Sequence, residues 1–203
     1  MNRGDRAVGR FLLVSLVLPA VLVLAAVAVQ LVALPSVPDT IAIHWNAAGV
    51  PDSFAPSWLQ PVLTAVLGLG LPALIASTSL PGLRRGDRGA SYRLMGAVAC
   101  ALAVLIAVLT TATLLLQTGP EGSSTPLPLW PTVVIAFAVT VLAGVAAWFA
   151  QPAGERSAAI PASAEPLPLA PGERAMWLRT ASIARGGAIA ITLAALVVSS
   201  AAV

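Results

Sequence analysis

Five long apolar stretches constrain this chain more than any other feature. A helix needs roughly 20 apolar residues to cross a hydrocarbon core about 30 Å thick. The stretches cover residues 11–34, 58–80, 94–117, 131–150 and 186–203, and none contains a charged side chain. Because lipid offers the backbone no hydrogen-bond partner, such segments cross as helices. The sequence therefore predicts an all-α integral membrane protein with a bundle of about five transmembrane helices.

The composition excludes an ordinary soluble domain. Hydrophobic residues make up 58% of the chain and charged residues 9%, whereas a globular domain carries about 25% charged residues. The lipid bilayer is thus the first expected partner. The net charge of +3 does not indicate nucleic-acid binding, because the basic residues stand directly beside the apolar stretches.

The arginines predict the orientation. No lysine is present, and the arginines form three clusters around residues 3–10, 84–93 and 156–185. The intervening loops, residues 35–57 and 118–130, contain neither Lys nor Arg. By the positive-inside rule, the N-terminus is cytoplasmic and these two loops face outward. We therefore expect a multi-pass protein of the bacterial plasma membrane.

The chain divides into three parts. Residues 1–150 form a predicted four-helix membrane domain. Residues 151–172 are rich in Pro and Ala, which predicts an extended cytoplasmic linker. Residues 173–203 combine a juxtamembrane segment with the fifth apolar stretch.

Small residues recur at every fourth position on two of the predicted helices. Such stripes let helix backbones approach closely, which predicts helix packing. The residues are Ala99, Ala103, Ala107 and Thr111 on one helix and Ala136, Thr140 and Gly144 on the other.

The second stretch carries Gly68, Gly70 and Pro72 at its middle. These residues predict a helix break, which would serve as a hinge or as part of a binding site. The structural alternative is that they are the Gly and Pro residues that membrane helices commonly contain.

The loop between the first two helices is predicted to be structured and extracytoplasmic. Residues 41–45 have the alternation and aromatic content of a short strand, and residues 46–49 are typical of a turn in which Gly49 supplies a positive φ. Two interpretations remain open. In one, Trp45 covers the helix ends while His44 and Asn46 bond to the turn; in the other, the loop is a recognition surface.

Motifs for chemistry are missing from the sequence. One histidine, His44, with Asp39 and Asp52 nearby is too small a set for a recognisable metal site. The sequence contains no nucleophile elbow, no HExxH helix and no phosphate-binding glycine loop. We therefore expect no catalytic residues, no metal and no cofactor, and hence no enzyme.

The same loop resembles a known family. Residues 34–52 resemble the outer-loop signature of the bacterial DUF1648 membrane domain, also found in SdpI-like immunity proteins, and the resemblance covers about residues 11–80. The matching positions are Pro35, His44, Trp45, Asn46, Gly49 and Asp52. The resemblance implies a multi-pass protein that protects against a secreted peptide toxin and signals to a cytoplasmic repressor.

Three functions follow as hypotheses. In the first, the outer loop recognises an extracellular peptide or envelope stress through His44, Trp45, Asn46, Gly49 and Asp52, with a cytoplasmic regulator as a second partner. In the second, the protein is a small transporter or permeability factor that uses the break at residues 68–72. In the third, it is a membrane scaffolding subunit whose alanine stripes form oligomer contacts.

Overall fold

The computed structural model describes residues 3–46, 48–86, 89–119, 129–152 and 172–174. Four stretches within them are helical, long enough and apolar enough to cross a membrane: Asp5–Ser36, Leu59–Arg84, Ala90–Leu115 and Trp130–Ala150. Four of the five predicted spans are thereby confirmed as helices of membrane-spanning character. The predicted fifth span and nearly all of the linker and juxtamembrane segment lie outside the described residues.

The first span consists of several helical types. It comprises α1 (Arg3–Leu12), a π-helical turn (Leu13–Val17), α2 (Leu18–Ala33) and a final 3-10 turn (Leu34–Ser36). The π-helical turn lies just before Pro19, which has no N–H to donate to the carbonyl of Ser15. In the wider turn the amide of Leu18 donates to the Leu13 carbonyl. The proline thus accounts for the local change of helix type.

Three further helices of the bundle lie in the described residues: α3 (Leu59–Arg84), α4 (Ala90–Leu115) and α5 (Leu129–Ala150). The central helix is α4, which contacts α2, α3 and α5. Its residues Ala99, Ala103 and Ala107 are buried in these contacts. Large apolar side chains such as Val32 and Phe149 remain more than 70% exposed on the outside of the bundle, as expected for a surface in contact with lipid.

The predicted helix break in the second span is not present, because α3 is continuous from Leu59 to Arg84. Gly68 is buried where α3 meets α2, and a Cβ added there would lie 2.8 Å from a methyl group of Val23. Pro72 is also buried, whereas Gly70 is exposed with open space around it. Packing on neighbouring helices holds α3 together where the local sequence weakens it.

An antiparallel β-hairpin lies between α2 and α3, so the fold is mostly helical rather than all-α. Its strands are β1 (Thr40–Trp45) and β2 (Pro51–Pro56), and Ile41 pairs with Ala55. Two register irregularities lie on either side of the pair His44–Ser53. Only β1 was predicted, because prolines at both ends of β2 are unfavourable for a strand.

Candidate functional site

The turn of the hairpin is built by Asn46 and Gly49. The side-chain Oδ1 of Asn46 accepts hydrogen bonds from the amides of Ala48 and Val50, at 2.9 and 3.1 Å. Gly49 has a φ of 76°, a conformation that glycine adopts without steric cost. These two residues therefore shape the turn and so position the residues on either side of it.

His44 and Asp52 meet across the hairpin. The Nδ1 atom of His44 lies 2.5 Å from Oδ1 of Asp52, and their side chains are 67% and 43% exposed. An exposed pair of this kind contributes only about 0–1 kcal/mol to stability. The bulged register places the two residues side by side, and bulges commonly re-aim side chains at functional sites. The pair is thus an accessible polar feature that the fold does not need for its core.

Trp45 occupies a different environment from its neighbour His44. Its side chain is partly buried, and its indole N–H is buried without a hydrogen-bond partner among the described residues. By contrast, Ile43, Val50, Phe54 and Trp58, which lie in or next to the hairpin in sequence, are exposed. The hairpin region therefore presents a hydrogen-bonded polar pair and several exposed apolar side chains.

Gln117, just after α4, fixes the hairpin to the bundle. Its side-chain Oε1 accepts a hydrogen bond from the Ala42 amide at 2.7 Å, and its Nε2 donates to the Ala42 carbonyl at 3.1 Å. Ala42 and Gln117 are both buried. The amide side chain thus pairs with β1 as a neighbouring strand would, and it occupies the edge of β1 that faces away from β2.

A polar cluster continues from this attachment into the bundle. Gln117 Nε2 also donates to the carbonyl of Thr113, and Gln60 Nε2 lies 3.2 Å from the hydroxyl of Thr113. Deeper in the bundle, Gln30 Nε2 contacts the hydroxyls of Thr110 and Thr111 at 3.1 and 2.9 Å.

Thr64 closes this cluster from the side of α3. Its Oγ1 lies 3.1 Å from Gln30 Oε1 and 2.9 Å from the Thr110 hydroxyl. Since polar groups in lipid need partners, the cluster holds α2, α3 and α4 together beneath the hairpin.

Arginines from two clusters meet at the opposite end of the bundle. Arg10 donates to the carbonyl of Ala150 at 3.0 Å, and Arg93 donates to the carbonyl of Trp148 at 2.8 Å while lying 4.5 Å from the centre of its ring. Cations are favourable at the C-terminal end of a helix. Arg10 and Arg93 therefore cap the C-terminal end of α5, in addition to any role of their charge in the orientation of the protein in the membrane.

The remaining predicted residues lie away from the hairpin surface. Ala136 is buried, and Thr140 and Gly144 are partly buried on α5; a Cβ on Gly144 would lie 3.4 Å from the Ala101 side chain. Thr111 belongs to the polar cluster. Ala103 and Ala107 are buried inside the bundle, which weakens the observation behind the scaffolding hypothesis. The helix α3 is continuous, which weakens the observation behind the transport hypothesis.

Sequence reasoning missed the attachment of the hairpin. The glutamines at positions 30, 60 and 117 lie within or at the edges of apolar stretches. A side-chain amide in a membrane span needs a hydrogen-bond partner, so these three positions were the sequence signal that could have indicated the attachment. Among the described residues, no group of three or more His, Cys, Asp or Glu side chains comes together.

Comparison with known proteins gives one family match. Neither a curated protein nor a solved structure matches the chain. Residues 21–69 match the model of a family described as a domain of unknown function, DUF1648. This segment comprises most of α2, the whole hairpin and the first part of α3, and lies within the region that resembled the family in sequence. The match supports a DUF1648 domain with the hairpin at its centre.

Proposed function

We propose that this protein is a non-enzymatic multi-pass protein of the bacterial plasma membrane whose hairpin recognises an extracellular peptide. In this role it gives immunity to the peptide or reports envelope stress to a cytoplasmic regulator, as the resemblance to SdpI-like relatives implies. The observation that carries the proposal is the exposed His44–Asp52 pair on a hairpin whose β1 is tied to the bundle by Gln117.

The charge of this side of the molecule favours a cationic peptide. The loops over residues 35–57 and 118–130 contain Asp39, Asp52 and Glu121 and no Lys or Arg. Charge complementarity steers encounter and suppresses unsuitable partners. The exposed apolar side chains Ile43, Phe54 and Trp58 suit the apolar face of an amphipathic peptide.

Firm attachment of β1 supports recognition in a further way. A surface that is already ordered loses less conformational entropy when a ligand binds. The paired hydrogen bonds between Gln117 and Ala42 order β1 before any ligand arrives. The same bonds connect the hairpin to the polar cluster, which is a physical route by which an altered hairpin would disturb helix packing.

The proposal is tested by survival of a deletion strain during challenge with concentrated culture supernatant of its own species. The strain carries the wild-type protein, the double variant His44→Ala/Asp52→Asn, or the control Ser53→Ala, at equal membrane abundance. Ser53 is an exposed neighbour in the same hairpin. We expect protection by wild type and the control and loss of protection by the double variant.

Asn46 is not the residue to alter in this test, because it accepts two hydrogen bonds within the turn. Its removal would confuse loss of recognition with loss of the turn. Equal survival of the deletion strain and every complemented strain would contradict the immunity function, and protection by the double variant would contradict the assignment of the site.

A further inference from the structure

A second polar feature lies at the end of the bundle opposite the hairpin, between the end of α3 and the start of α4. There a cleft of about 250 Å³ is lined by Arg85, by Ser79 and Ser91, and by apolar Leu83 and Met95. Thr78 and Tyr92 also line it, but their hydroxyls donate to backbone carbonyls of residues that do not line the cleft. This cleft lies within about two turns of the ends of both spans, the depth at which lipid headgroups lie.

The size and lining of the cleft indicate the class of ligand. Its volume of about 250 Å³ is below the ~300–1,000 Å³ typical of sites for drug-sized molecules. A guanidinium and several hydroxyls are the groups that bind phosphate oxygens. Apolar Leu83 and Met95 in the same wall suit the carbon atoms next to a phosphate ester.

The sequence next to the cleft is rich in arginine. The segment from Arg84 to Arg93 contains four arginines and one aspartate. Within the part of the chain that the structure describes, Arg85 forms no ion pair with an acidic side chain. Basic pockets between spans on the cytoplasmic side are suited to anionic headgroups.

Local hydrogen bonding reduces the negative potential at the C-terminal end of α3. The last carbonyls of α3 lie within hydrogen-bond distance of the amides of Arg85 and Gly86, and Gly86 has a φ of 96°. This cap satisfies carbonyl oxygens that would otherwise repel an anion. The 26-residue helix α4 begins beside the cleft, so its positive dipole end offsets the negative dipole end of α3, and the charge of Arg85 remains as the main attraction for an anion.

From this arrangement we infer that the cleft between α3 and α4 binds the phosphate headgroup of an anionic phospholipid, with Arg85 as the principal ligand and Ser79 and Ser91 as further hydrogen-bond donors. The site is independent of the proposed recognition by the hairpin. Bound lipid would join the ends of α3 and α4 on the side of the bundle opposite the hairpin.

Native mass spectrometry of the full chain, purified in detergent, tests the inference. Wild type, Arg85→Gln and the matched control Arg84→Gln are titrated with phosphatidylglycerol or phosphatidylcholine. Arg84 is also exposed and carries the same charge, but it does not line the cleft. We expect Arg85→Gln to weaken phosphatidylglycerol retention at least about tenfold, because the loss of one hydrogen bond to a charged group costs about 1.5 kcal/mol. Arg84→Gln should resemble wild type.

The other arms identify the source of the phosphate. Equal retention of the two lipids by wild type, or equal loss in the two arginine variants, would overturn the site. Competition by millimolar glycerol phosphate that fully displaces the lipid would show a site for free phosphate esters and would also overturn the lipid assignment. A Ser79→Ala/Ser91→Ala variant, which keeps every charge, should weaken phosphatidylglycerol retention without changing phosphatidylcholine retention.

Discussion

At the scale of single residues, two glycines of α3 have opposite roles although only one position separates them. Gly68 is buried against Val23 in α2, and an added Cβ would lie 2.8 and 2.9 Å from the two methyl groups of that side chain. A β-branched side chain has little rotameric freedom with which to move away. Gly70 faces open space.

We therefore expect Gly68→Ala to lower the free energy of unfolding by about 1–3 kcal/mol, the usual cost of overpacking, and Gly70→Ala to cause no loss. Reversible unfolding in mixed detergent micelles, followed by circular dichroism, measures both. The double variant Gly68→Ala/Val23→Ala should recover part of the loss relative to the sum of the single variants. Equal effects of the two glycine substitutions would contradict the close approach of α2 and α3 at Gly68.

At the scale of secondary-structure elements, the hairpin depends on a side chain from a distant part of the chain. Gln117 is separated from Ala42 by 75 positions, yet its amide makes two hydrogen bonds to the Ala42 backbone. An isolated two-stranded hairpin is at best marginally stable in water. Attachment to the end of α4 is therefore expected to decide how rigid the hairpin is.

Replacing Gln117 by Leu should detach β1 from the bundle. The change leaves the buried amide and carbonyl of Ala42 without partners, and each unsatisfied group costs about 1–3 kcal/mol. Hydrogen exchange over residues 38–46, measured by mass spectrometry, should accelerate at least about tenfold, since 1.4 kcal/mol corresponds to a factor of ten.

The control for this experiment is Thr118→Val, because Thr118 is exposed and, among the described residues, its hydroxyl donates to the Leu115 carbonyl of its own turn and not to the hairpin. Its exchange should match that of wild type. Unchanged protection of β1 in the Gln117 variant would mean that the hairpin is held by other contacts, such as the burial of Ile41.

The sequence predicts elements better than their connections. Long apolar stretches specify helices because lipid leaves the backbone no alternative, so four spans were predictable. The start of the first was less so, because its helical stretch begins at Asp5 and the predicted one at Phe11. Gly49 and its turn were predictable because few residues favour a positive φ. The pairing of His44 with Asp52 and the bonds of Gln117 depend on tertiary placement, and no local pattern specifies them.

At the scale of the whole molecule, charge is separated along the bundle. Arg10 and Arg93 bind carbonyls at the C-terminal end of α5, whereas the hairpin is attached to the far end of α4 by Gln117. Two arginine clusters that are far apart in sequence thus lie at one end of the molecule. Asp52 in the hairpin and Asp39 just before it lie at the other end. This is the arrangement that the positive-inside rule associates with a cytoplasmic and an outer face.

This separation predicts which residues a membrane-impermeant maleimide reaches. In a Cys100→Ala background, Ser53→Cys in the exposed part of β2 should react in intact spheroplasts, whereas Ser157→Cys in the predicted linker should react only after the membrane is opened. The positive-inside bias opposes transfer of the arginine-rich end across the membrane. The reverse labelling pattern would mean that the hairpin faces the cytoplasm. A cytoplasmic hairpin would not meet an extracellular peptide, and the proposed recognition would then fail for a reason separate from the chemistry of His44 and Asp52.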